Sequence, residues 1–368
     1  MKVLFIINGL QYSGAEIVLE RYLKDNEKIK PIFALLNNNS DLKNRLERQF
    51  GIGNVYTLNI EKNNFINKYF PMILSKLFWK KIKTVISITK PEVVYANNST
   101  EAIYASFKKS PLPLVVHIHD MVSSIRNPLR RYGIKRAVKN SNEVITVSKA
   151  AKYEINRNDV SVVYNGLENS YFVNNDTKIT SFNRSSQPIK IGFIGSFIQR
   201  KGPDLLLEAI NILSRNGTEN IELYIATNYI DEKLYQKCLR KWPDLEKKLV
   251  VRKNLNEIQI KDFLSEIDFL VVPSRRDPLP TVVMEAMAMN KIVIGSKVDG
   301  IPEMIKQPML LFESNNPRSL VNSILNVINS DEKTLNTIIQ ELNSRAQKHF
   351  NDRHKKEKVN KILEKLTK

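Results

Sequence analysis

The sequence predicts an α/β protein of two tandem Rossmann-like domains facing across a cleft, and three observations predict it. The 368 residues amount to two domains at ~150 residues each, and either is long enough to bury its own core. Short apolar runs alternate with amphipathic helical stretches along the chain, the pattern of βαβ units and parallel sheets. The alternation breaks over residues 165–188, where Asn, Asp, Ser and Thr replace the apolar periodicity, and restarts at Ile189.

In the first half, strands are expected over 3–8, 31–36, 54–58, 93–96, 114–119, 144–147 and 161–164, with helices separating nearly all of them. After the break come strands over 189–195, 222–226, 249–252, 269–272 and 292–295, then helices over 317–329, 332–348 and 353–365. The expected division is 1–175 for an acceptor-side domain and 185–349 for a ligand-binding one, with the final helix, 350–368, packing back on the first. Such sheets bind ligands at the carboxyl ends of their strands.

Several classes lose support at once. A single cysteine, Cys238, rules out an internal disulfide framework and a Cys-based zinc site, and points to a reducing compartment. Four histidines leave little for a metal cage, so no metal and no cofactor are expected. The opening residues 1–9 read as a strand and not a signal peptide. No apolar stretch reaches the ~20 residues of a membrane span. Walker, G-x-S-x-G, H-E-x-x-H and D-x-D patterns are absent.

The net charge is +19, and it is concentrated. Between Lys62 and Lys139, fifteen Lys and Arg face three acids, Glu92, Glu101 and Asp120. Residues 62–90 hold seven Lys and no acid, interleaved with Phe65, Tyr69, Phe70, Phe78 and Trp79. At about 100° per residue, Lys76, Lys80 and Lys83 share one helix face, while Ile73, Leu74, Leu77, Phe78 and Ile82 spread over the opposite arc. A core helix with a solvated Lys face and an interfacial membrane helix fit this pattern equally. A second basic helix carries Arg126, Arg130, Arg131, Lys135, Arg136 and Lys139.

Two loops suit an anion. Residues 273–288 run from a strand end through Asp277 to a helix opening near Pro280 or Thr281, whose unpaired N–H groups point into the loop. Glu285 lies one turn inside that helix among Val282, Thr281, Ala288 and Met289, a carboxylate on an apolar face that requires a polar partner. Residues 192–204 repeat the strand, loop and helix with Arg200 and Lys201 beside the helix start, a fit for a diphosphate. In the first half, Asn8 to Glu16 allows close backbone approach to a ligand. His119 and Asp120 fall at a carboxyl strand end, while His117 reads as a packed core histidine.

At these residues the chain resembles the GT-B glycosyltransferases of family 4. The matching pieces come in family order: 13–16 with Gly14, His119-Asp120, 163–168 with Asn165, 195–202, 277–285, and 300–303. The resemblance implies a retaining transferase that takes a sugar from a nucleotide-sugar, with the donor diphosphate in the second domain. It assigns Glu285 to the nucleotide ribose, Asp277 to the donor sugar, Lys201 to the diphosphate, and the backbone of Leu279, Pro280, Thr281 and Val282 to the phosphate cradle. It further places His119 against the reacting sugar, Gly14 at the diphosphate and Asn165 among the donor-binding residues. The pattern departs at Asp277, usually Glu, and at Ser196, usually a diphosphate Arg that Arg200 could replace. The implied mechanism is electrostatic, with Lys201 and helix-terminal N–H groups on the leaving diphosphate.

The expected partners are a nucleotide-sugar, a glycan or lipid-linked acceptor, and the anionic inner face of a cell membrane, reached from the cytoplasm through Lys76, Lys80, Lys83, Arg130 and Arg131. No nucleic acid is expected. The competing readings are a non-enzymatic membrane- or nucleic-acid-binding protein, which has no use for Glu285 in an apolar helix, and a GT-B epimerase or phosphorylase.

Overall fold

The structure is a computed structural model that describes residues 1–10, 14–59, 71–173, 187–218 and 220–367, with backbone alone for 71–75. Ser13, Lys62, Phe65, Tyr69, Phe70, the side chains of Ile73 and Leu74, and residues 174–186 of the expected linker lie outside the described residues. The chain divides into two compact units, Met1–Gly166 with Asp352–Lys368, and Leu167–Asn351.

Unit 1 runs β1 (Lys2–Ile7), α1 (Gly14–Leu23), β2 (Lys30–Leu35), α2 (Ser40–Phe50), β3 (Val55–Thr57), α3 (Pro71–Thr89), β4 (Val93–Asn97), α4 (Ser99–Ala105), β5 (Leu114–Ile118), α5 (Pro128–Asn140), β6 (Glu143–Thr146), α6 (Lys149–Tyr153) and β7 (Val160–Val162). Its seven strands are parallel in the order β3-β2-β1-β4-β5-β6-β7. Because side chains alternate across a strand, the continuous apolar run of β1 feeds two cores. Leu4 and Ile6 join Phe78, Ile82, Val94 and Val116 on one face. Val3, Phe5 and Ile7 join Leu19 and Tyr22 on the other. Helix starts follow local chemistry: Asn127 caps α5 through Leu129 and Arg130 N–H groups, with Pro128 in the first turn, where its missing N–H costs nothing.

The expectation for α3 is corrected in part. Phe78 and Trp79 are buried, and Phe78 stacks on Tyr104 with centroids 4.1 Å apart. Phe78 packs with Leu4, Ile82 and Val94 in the sheet core, and burial leaves neither aromatic available to a membrane. Leu77, assigned above to the apolar arc, is instead 50% exposed beside Lys76 and Lys80.

Unit 2 runs β8 (Ile189–Ile194), α7 (Pro203–Arg215), β9 (Ile221–Thr227), α8 (Glu232–Lys241), β10 (Leu249–Lys253), α9 (Glu257–Glu266), β11 (Phe269–Val272), α10 (Thr281–Ala288), β12 (Ile292–Ser296), α11 (Ile301–Ile305), β13 (Leu311–Phe312), α12 (Pro317–Ile328) and α13 (Glu332–Phe350). Its six parallel strands, β10-β9-β8-β11-β12-β13, repeat the first six of unit 1 in topology. In each sheet the first and fourth strands are neighbours from which the chain winds in opposite directions, and ligands bind at that switch point.

The last helix, α14 (Asp352–Leu366), belongs to unit 1 and adds Val359 and Leu363 to its core. Tyr22 Oη donates to Asn360 Oδ1 at 2.8 Å, and Lys355 Nζ donates to the Val18 carbonyl at 3.1 Å. Gly166 permits the return: a Cβ there would stand 2.5 Å from Asp352 Cα. Burial pushes the Lys355 ammonium down to about 7, against the opposing pull of Asp352.

Candidate active site

In unit 2, the loops leaving β8 and β11 are packed backbone to backbone. Gly202, at φ +72°, opens α7, and a Cβ on it would lie 1.9 Å from the Pro273 carbonyl oxygen, so only glycine fits. Arg275 N donates to Arg200 O at 2.8 Å. The Arg275 guanidinium grips Asp204 with two bonds of 2.8 Å and reaches Gln199 O and Asn315 Oδ1 at 2.6 Å each. This planar fork is a bidentate geometry that lysine could not supply.

Within that frame Lys201 Nζ lies 2.6 Å from Asp277 Oδ2, with side chains 22% and 6% exposed. The pair is shielded enough to exceed a surface ion pair and open enough to be reached. Ser274 Oγ donates to the same carboxylate at 3.4 Å. Asp299 Oδ2 accepts from Asp277 N at 2.8 Å and from Arg276 Nε at 3.0 Å, and Gly300 N donates to Asp277 O at 3.2 Å. Arg200 is exposed and donates to Arg276 O at 3.1 Å. Ser196 Oγ donates to Asn228 Oδ1 at 3.0 Å.

The polypeptide then passes Leu279 and Pro280 into α10. Pro280 provides no side-chain cap, so the first N–H groups of the helix, at Thr281 and Val282, are left to a ligand or solvent. Glu285 is buried one turn on, within the apolar run Val283 to Ala288.

Unit 1 presents different chemistry at the equivalent place. Gly9, at φ +76°, lets β1 turn beside Asn37, whose Nδ2 donates to the carbonyl and Oδ1 of Asn8 at 2.9 and 2.8 Å. Gly14 opens α1, and a Cβ there would meet nothing within 4 Å. His119, half-buried after β5, has Nε2 3.2 Å from Asn97 Oδ1 and its ring 4.0 Å from that of His117. His117 is buried with Nδ1 2.7 Å from Tyr95 Oη. Burial, then the Lys355 charge, pushes the His119 imidazole down to about 3, so it is uncharged at neutral pH. Asn165 is buried with Oδ1 unpartnered among the described residues.

Sequence reasoning missed three features. Arg275 and Asp299 hold the loops of unit 2, and the sequence gives no sign of it because the partners Asp204 and Asp277 stand 71 and 22 residues away from them. Asn97 and Asn98, at the end of β4, read as strand-end polar residues. Glu101 on α4 is buried, its carboxyl pushed up to about 8 by desolvation, with Oε2 unpartnered among the described residues. Of the basic residues singled out, Lys76, Lys80, Lys83 and Arg131 are exposed, whereas Arg130 Nη2 donates to Thr100 Oγ1 at 2.7 Å. Among the described residues no helix is long and apolar enough to cross a membrane, and no three His, Cys, Asp or Glu side chains converge as a metal cage requires.

Fold and site define a class: paired parallel α/β units of matching strand order, one with an anion-ready switch point. Residues 41–170 match the model of Glycosyltransferase Family 4, and residues 174–345 that of Glycosyl transferases group 1. The chain belongs to the GT-B glycosyltransferases of the family-4 type. An uncharacterized glycosyltransferase of Methanocaldococcus jannaschii, MJ1178, is 31% identical over 62% of this chain and 62% of its own length. The putative teichuronic acid biosynthesis glycosyltransferase TuaC of Bacillus subtilis is 27% identical over 52% of this chain and 48% of its own. The match thus spans about half to three fifths of these relatives. In fold, Anabaena Alr3699/HepE, solved with UDP and glucose, superposes over the whole of both chains with a TM-score of 0.81 at 18% identity.

Proposed function

We propose that the protein transfers a sugar from a nucleoside-diphosphate sugar to a saccharide or lipid-linked acceptor, with retention of configuration, in assembling a bacterial cell-surface polysaccharide. The observation that carries this reading is the Lys201–Asp277 pair at the switch point of unit 2, beside the uncapped start of α10 and one turn from Glu285. Lys201 and the N–H groups of Thr281 and Val282 are suited to a diphosphate, and Glu285 to a ribose hydroxyl pair. Asp277 is then the group that releases Lys201 and turns to the donor sugar. UDP in Anabaena HepE and the teichuronic acid role given to TuaC support the donor and the setting.

The bond between the anomeric carbon and the diphosphate oxygen breaks as the acceptor oxygen attacks from the same face. The acceptor proton passes to the departing oxygen, and charge on the leaving group is met by Lys201 and helix N–H groups, without a metal. A thermal-shift screen against nucleotide-sugars and free nucleotides tests the reading, since a ligand that binds the native state raises its midpoint. A midpoint raised by a nucleoside diphosphate and its sugar, and lowered again in Glu285→Ala, is expected; no shift with any member would refute it.

The exposed Lys76, Lys80 and Lys83 of α3, with Leu77, Ile88 and Tyr132 exposed beside basic residues, support docking on an anionic membrane face where such an acceptor is held. Each engaged cation contributes ~1 kcal/mol near such a surface. Sedimentation with anionic but not neutral vesicles, weakened by salt, is the expected result.

A further inference from the structure

Asn97 closes β4 at the switch point of unit 1 and is 1% exposed. Chemistry allows its amide one orientation. One end lies 3.2 Å from the Ala15 carbonyl oxygen, an obligate acceptor, so that end is Nδ2 and donates. The other end is therefore Oδ1, 3.2 Å from His119 Nε2. A carbonyl oxygen can only accept, so Nε2 carries the proton, and in a neutral imidazole Nδ1 is then a bare lone pair.

The surroundings keep the ring neutral. The His117 ring in β5 lies 4.0 Å away and tilted by 41°, Lys355 on α14 adds positive charge, and Asp120 follows in the chain as the acidic neighbour. The backbone beside the pair is strained: Asn98 holds φ +144° and ψ 179°, a region that belongs almost entirely to glycine. Its own side chain holds it there, because Oδ1 accepts from Ser99 N at 2.7 Å and from His119 N at 3.4 Å. The ends of β4 and β5 are thus fixed to each other through both asparagines.

We propose that Asn97 is a positioning residue that holds His119 as the neutral Nε2–H tautomer and so leaves Nδ1, at the switch point of unit 1, as a hydrogen-bond acceptor for a ligand hydroxyl. The identity of the ligand rests on the proposed glycosyl transfer; the tautomer does not. An acceptor nitrogen takes a hydroxyl and opposes a carboxylate, so the group that meets Nδ1 is a hydroxyl.

Long-range proton–nitrogen correlation spectra of the full chain labelled with 15N-histidine read the ring directly, with His119 identified by its loss in His119→Gln. The wild type should show protonated Nε2 and bare Nδ1, unchanged between about pH 5.5 and 8. Asn97→Leu should relax this to averaged tautomers, and Asn97→Asp, which keeps the shape, should bring a His119 titration into that range. A wild-type Nδ1–H tautomer, or a spectrum indifferent to both substitutions, would overturn the proposal. With the donor found by the screen, Asn97→Leu should lower kcat/KM ~10-fold while affinity for the free nucleoside diphosphate stays within about twofold; an equal loss in both would overturn the hydroxyl role. If no nucleotide-sugar binds the wild type, the functional reading fails, and the spectra still decide what Asn97 does.

Discussion

The two units share a strand order and differ at the place where that order reverses. In unit 1 the ends of β1, β4 and β5 gather neutral groups: an amide, two imidazoles held uncharged, and a carboxyl that burial keeps protonated at neutral pH. In unit 2 the corresponding loops carry full charges in pairs, Lys201 with Asp277, Arg275 with Asp204 and Arg276 with Asp299. Topology decides where a site lies, and the loop residues decide what it handles. A cluster of neutral hydrogen-bonding groups is suited to hydroxyls, whereas a cluster of ion pairs is suited to a polyanion that can replace one partner.

The comparison breaks most visibly at Lys201. Charge on the leaving diphosphate grows toward the transition state, so Lys201→Ala should lower kcat ~10²–10³-fold and change donor KM much less. A raised KM with kcat intact would show that the lysine only binds. Next come the glycines. Gly202→Ala places a methyl 1.9 Å from a carbonyl oxygen at a positive φ, and should destabilise unit 2 by ~2–3 kcal/mol in denaturant unfolding. Gly14→Ala meets nothing within 4 Å and should leave stability within ~0.5 kcal/mol. A loss of donor binding in that folded variant would show that a ligand reaches the start of α1.

Glu101 tests the neutrality of unit 1. Its carboxyl titrates near 4.5 when unfolded and at about 8 when folded, so across that window the unfolded chain binds fewer protons and stability falls as pH rises. Glu101→Gln removes the titration and should gain ~1–3 kcal/mol over the wild type at pH 8 relative to pH 4.5. A difference independent of pH would mean that the carboxylate is stabilised in place. The smallest effect is expected from chelation: exhaustive EDTA treatment should leave turnover unchanged, and activity restored by added Mn²⁺ or Mg²⁺ would replace the lysine-centred account with a metal-centred one.

Twelve of the strands were legible because each is a short apolar run between polar loops, and parallel strands buried on both faces carry that signature in the residues themselves. β13, two residues long, has no period to detect, and α11, Ile301–Ile305, is barely one turn. Loops that bear a motif were legible too, and the structure places Lys201 and Asp277 in contact. Their supports were not. Asp299 reaches Asp277 from 22 residues away, and Asn97 reaches His119 from the same separation on a neighbouring strand. Such pairings depend on sheet register, which composition does not encode. The burial of Phe78 and Trp79 shows the converse limit, since an aromatic beside lysines reads the same on a core face and a membrane face.

The return of α14 to unit 1 has a consequence for how the chain acquires its structure. Lys355 bonds Val18 across 337 residues and Tyr22 bonds Asn360 across 338, whereas unit 2 is one uninterrupted segment, Leu167–Asn351. A growing chain exposes all of unit 2 before the residues that finish unit 1 have been made. The unit whose synthesis starts first is therefore the last to complete its core, and until then the face of its sheet that receives Val359 and Leu363 is open to misassociation. Contacts this distant in sequence are slow to form.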